Sequence, residues 1–61
     1  MHWILTITRL EINFVVLEGD AGEFHLPRAD IPEARVGDIV RLEHAIRGGR
    51  AKLNCQVIAG A

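Results

Sequence analysis

The sequence predicts an all-β domain. Apolar residues recur with period two along most of the chain, and glycine pairs and prolines break the runs at short intervals. Residues 3–8, WILTIT, are β-branched and aromatic, and alternation puts Trp3, Leu5 and Ile7 on one face. Residues 13–18, NFVVLE, form a near-continuous apolar run, the pattern of a strand covered on both faces. Gly19-Asp20 and Ala21-Gly22 supply turn chemistry, and residues 23–26, EFHL, resume the alternation. Residues 13–26 therefore read as a β-hairpin.

Pro27 ends that strand, because proline donates nothing to a ladder. In the segment ADIPEARVGD that follows, Asp30 is a candidate cap and Pro32 suits the first turn of a helix. The segment is too short for an independent helix, so one helical or 3₁₀ turn is expected near residues 30–35. Gly37-Asp38 leads into a strand over residues 39–43, and Gly48-Gly49 marks a second hairpin. The last strand alternates most cleanly: Ala51, Leu53, Cys55 and Val57 point one way, Lys52, Asn54 and Gln56 the other. Closure removes bare edges, so the predicted architecture is a small five-stranded barrel, SH3-like or OB-like.

Sixty-one residues make a single domain, 1–61. A chain of this size hides only about 60% of its unfolded surface. Cys55 is the only cysteine, which excludes an internal disulfide and a cysteine-rich zinc site, and fits a reducing compartment. At 49% hydrophobic and 25% charged the chain is too apolar for disorder, and apolar enough that some of its surface is expected to face a neighbour. A net charge of −1 is not that of a general polyanion binder. No apolar stretch approaches the ~20 residues of a membrane span. The opening MHWILTITRL has no cationic leader and is interrupted by Arg9, so it does not read as a signal peptide, and the expected location is the cytoplasm.

Residues 8–43 carry an ordered set of elements: Arg9-Leu10-Glu11, then Phe14-Val15-Val16-Leu17, Asp20-Ala21-Gly22-Glu23, Leu26-Pro27 and Gly37-Asp38-Ile39-Val40. In that order and spacing the segment resembles a family of very small bacterial proteins catalogued as domain of unknown function 3006. Ile12 departs from the pattern, since a glycine or small polar residue is expected after Glu11. The resemblance implies a compact β-barrel of unassigned function and carries over no catalytic residue.

The chemistry-bearing residues read mostly as structure. His2, His25 and His44 are far apart and lack ligand spacing, so no metal is expected, and His25 reads as projecting outward from its strand. Cys55 shares a face with Leu53 and Val57, where a free thiol behaves as a small hydrophobe rather than a nucleophile. Glu18, Asp20 and Glu23 do not follow the ligand order of a calcium loop and read as a solvated hairpin tip. With no phosphate loop, nucleophile elbow or dinucleotide fingerprint, neither an enzyme nor a cofactor is expected.

Two surfaces stand out as functional candidates. The first is a surplus of hydrophobes, Ile4, Ile12, Val15 and Ile46, beside the presumed core faces. Trp3, Ile4, Ile12 and Val15 are the expected contacts to a protein partner or a second copy, with an edge strand at residues 3–8 or 53–58 available for backbone pairing. The second is the basic hairpin: Arg41, Arg47, Arg50 and Lys52 would suit a nucleic acid. Its weakness is aromatic supply, since only Trp3, Phe14 and Phe24 exist and a small barrel needs at least two of them inside.

Overall fold

A computed structural model describes residues 2–60, the side chain of Arg47 excepted. The elements are β1 (His2–Leu10), β2 (Phe14–Gly19), β3 (Gly22–Pro27), a 3₁₀ turn (Arg28–Asp30), β4 (Ile39–Arg47) and β5 (Arg50–Ala59). Every pairing is antiparallel, and the five strands form one sheet in the order β3-β2-β1-β4-β5. The sheet curls into a half-barrel with β3 at one edge and β5 at the other, where the sequence predicts closure.

The register explains the shape. β1 pairs with β4 through residues 2–6 and with β2 through residues 6–10, so the two partners overlap on it only at Thr6. A bulge between Ile7 and Arg9 adjusts the pairing with β2. The hairpins β2–β3 and β4–β5 are thus attached nearly end to end along one strand. The molecule is accordingly long, 34 × 23 × 19 Å. Among the described residues, β4 has no β1 partner beyond Glu43, and the outer half of the β4–β5 hairpin runs on as a two-stranded arm.

The inner face of the curl holds the core: Leu5, Ile7, Val15, Leu17, Leu26, Val40 and Leu42, joined by Ile31 and Ala34 from the corner after β3. Trp3, Leu10, Phe24 and Cys55 pack against its margin. Trp3 and Phe24 meet as tilted rings 5.9 Å apart, a geometry that aromatic quadrupoles favour. Each fully buried aliphatic side chain contributes roughly 1.5–3 kcal/mol of transfer free energy. Val16 is also buried but points to the opposite face, between Arg9 and His25 in the register. The apolar run predicts a strand covered on both faces, and β2 is so covered at Val16, with Phe14 half-buried and Glu18 exposed on the same outer face.

The 3₁₀ turn lies earlier than the 30–35 window expected. Pro27, the last residue of β3, already sits at its N-cap position with φ −56° and ψ 136°, and no side chain caps the turn. Asp30 is the turn's last residue, not its cap. Proline therefore ends the strand and opens the turn in one step, since its fixed φ suits both. Turns closed by Ile31 N–H to Arg28 O (3.2 Å), Ala34 N–H to Ile31 O (3.1 Å) and Asp38 N–H to Arg35 O (3.1 Å) complete the corner. The buried Asp38 carboxylate accepts the Arg35 N–H at 3.1 Å.

At Gly19 the end of β2 lies close against β1. A Cβ there would lie 2.6 Å from Leu5 Cδ2 and 2.9 Å from the Ile4 carbonyl oxygen. The backbone oxygen has little room to move, because Ile4 and Leu5 are held in the ladder with β4. Gly19→Ala should therefore cost about 1–3 kcal/mol, the usual range for overpacking, seen as a lower urea midpoint with an unchanged m-value. A midpoint equal to wild type would show that β1 and β2 separate here more easily than the register implies.

Candidate interaction surface

The described residues sort into an inner and an outer face by strand parity. Trp3 is half-buried on the inner face and is mainly a core residue. Ile4 and Ile12 are exposed, at 51% and 88%. Val15 corrects the expectation: its exposure is 0%, and it lies on the inner face opposite Leu10 and Leu26. The continuous run around Val15 has no alternation to assign its face, so the β1 bulge and the pairing with β3 decide it. Val15 cannot touch a partner in the folded chain. The four residues expected together as a contact surface do not form one.

A different apolar surface takes their place. On the inner side of β4–β5, Leu42 pairs with Cys55, His44 with Leu53, and Ile46 with Ala51. Leu42 is covered by the core, but Ile46 is 71% exposed and Leu53 53%. Val57 and Ile58 are 39% and 49% exposed further along β5. Leu53 pairs with His44 beyond the core, whereas Val57, opposite the buried Val40, is exposed because it stands on the free edge. Cleanly alternating apolar residues over residues 51–57 were the sequence signal for this surface. A shallow groove of about 430 Å³ separates β5 from the corner, lined in part by Asp30, Ile31, Pro32, Cys55 and Val57.

The basic residues share the other side. Arg41, Arg50 and Lys52 are exposed at outer-face positions, and Arg47, whose side chain is outside the described residues, pairs by register with Arg50. Arg41 is committed to Glu43 by an ion pair at 3.3 Å across the outer face. Among the described residues no aromatic stands on this part of the sheet: Trp3 and Phe24 face inward, and Phe14 lies at the far end, stacked on His25 at 5.0 Å.

His25 Nε2 also lies 3.1 Å from Glu23 Oε1, which fixes the ring on the surface. Glu18 and Glu23 are direct cross-strand neighbours beside Asp20, like charges left in water. No three His, Cys, Asp or Glu side chains among the described residues group closely enough to hold a metal ion. No helix among them is long and apolar enough to cross a membrane. Comparison with family models, curated proteins and solved structures finds no match.

Cys55 is half-buried on the inner face. Burial, and after it the Asp30 carboxylate, push its thiol above the ordinary value. Both causes disfavour the thiolate, the opposite of what activates a nucleophile. Alkylation of Cys55 at pH 7 should therefore run several-fold slower than that of an exposed cysteine, and Asp30→Asn should speed it by removing the charge. An acceleration of wild type to the exposed-thiol rate at neutral pH would contradict this placement.

Proposed function

We propose that the chain is a non-enzymatic interaction module that binds a protein partner, or itself, through exposed apolar strand surface. The observation that supports this most directly is β5: an edge strand of ten residues on which Leu53 stands in solvent near Ile46, with Val57 and Ile58 exposed further along the same edge. Water bears the cost of that surface in the isolated chain, and a partner would relieve it. The raised thiol of Cys55 does not favour a nucleophilic role. Membership of the small bacterial family that residues 8–43 resemble belongs to the same proposal, as does closure of the curl into a complete barrel once its edge is occupied.

A second reading, nucleic-acid binding, is favoured by one feature. Arg41, Arg50 and Lys52 hold outer-face positions on one hairpin, and Arg47 pairs by register with Arg50. Against it stand the Arg41–Glu43 pair and the lack of a stacking platform beside the basic residues.

The two readings separate in an affinity capture from source lysate with and without nuclease. A protein captured equally in both, and lost with Leu53→Lys but kept with Arg50→Glu/Lys52→Glu, is the expected outcome. Capture abolished by nuclease and by the Arg50/Lys52 reversal would transfer the assignment to nucleic acid. Binding to oligonucleotides should then weaken roughly in proportion to a power of salt set by the phosphates neutralised.

A further inference from the structure

Resting on the interaction reading above, we infer that the partner on β5 is a second copy of this chain, paired antiparallel along the free edge about a two-fold axis at Cys55.

The edge is built to accept a strand. Arg47 and Arg50 close the two-residue loop Gly48-Gly49, where φ is +57° and +78°, the signature of a primed hairpin turn. The pair closing such a loop exchanges hydrogen bonds, and the pattern alternates from there along an antiparallel ladder. Lys52, Asn54 and Gln56 therefore bond to β4, while Ala51, Leu53, Cys55 and Val57 turn their N–H and C=O groups outward. These four are also the inner-face row. Free backbone groups and uncovered apolar side chains thus belong to the same residues.

The other edge is protected in the ways edge strands ordinarily are. β3 has six residues, ends at Pro27, and carries Glu23 and His25. β5 has ten residues, and from Leu53 to Ala59 it has neither a charge nor a proline. Pairing β5 with β3 of another copy would propagate without closure. Pairing β5 with itself closes on two subunits.

The strand is self-complementary about Cys55. That register sets Leu53 opposite Val57 of the second copy on the inner face and Asn54 opposite Gln56 on the outer face. This register runs regularly as far as the bulge at Ile58, and no like charges stand opposite within it. A folded monomer of this mass exposes about 3,950 Å² by the usual scaling, whereas this chain exposes 4455 Å². The excess, about 500 Å² per chain, belongs to an open, elongated sheet, and pairing of two such chains would need to bury ~1,000 Å² in total to be specific.

Sedimentation of the full chain from 1 to 200 μM tests the pairing, and cross-linking of Cys55 with a short bismaleimide at pH 8 tests the axis. A concentration-dependent dimer is expected, with Leu53→Lys weakening it at least tenfold while circular dichroism is unchanged and Ile12→Lys leaves it intact. Wild type should cross-link efficiently. Leu53→Cys/Cys55→Ala should not, because its thiols would sit four residues apart along the ladder, about 13 Å. A dimer in which both variants cross-link equally would move the axis to Asn54 and overturn the register. A monomer throughout the range would overturn self-pairing. If that monomer still captures a different protein in a Leu53-dependent way, the interaction reading survives, and if Leu53→Lys changes nothing, both fall.

Discussion

The whole arrangement hangs on Ile7. Its N–H donates to the Asp38 carbonyl at 2.9 Å, and its carbonyl accepts the Gly37 N–H at 2.8 Å. These two bonds fasten the end of the corner to the centre of β1, beside the point where β2 hands over to β4. Ile7 is at the same time one of the least exposed side chains, at 1%. Backbone pairing and burial are therefore satisfied by one residue, which fixes where β4 begins and so where β5 ends.

From that anchor the exposure of β5 follows without further assumption. Because β4 starts opposite Thr6 and runs toward His2, its last residues overshoot the N-terminal end of the described β1. Their only described neighbour strand is β5, and a two-stranded ribbon is marginal in water without a third strand or a covering layer. The Arg41–Glu43 pair on its outer face is exposed, and such pairs contribute at most about 1 kcal/mol. The inner side chains, not the charges, set what this arm needs.

Much of this was legible in the residues. Period-two patterning marked the strands, Gly19–Gly22 and Gly48-Gly49 marked the hairpins, and Pro27 with Gly37-Asp38 bracketed the corner. Those features are local, and local chemistry decides them. The openness of the sheet is not local. Whether β3 meets β5 depends on strand offsets along β1, and a single bulge at Thr8 shifts them. The same offset hid Val15 and uncovered Leu53; of the two strands expected at an edge, residues 53–58 lie on one and residues 3–8 lie mid-sheet. Ile4 and Ile12 remained outside because alternation and a turn position, both readable, put them there.

The free stretch of β5 also bears on how the chain behaves when concentrated. Seven consecutive residues, LNCQVIA, combine β-branched and amide side chains with no charge and no proline, a composition that stacks readily into cross-β fibrils. Arg50 and Lys52 guard its N-terminal end. Occupying that edge with an ordered strand and keeping the protein out of fibrils are then the same physical act, and the species at risk is the lone chain.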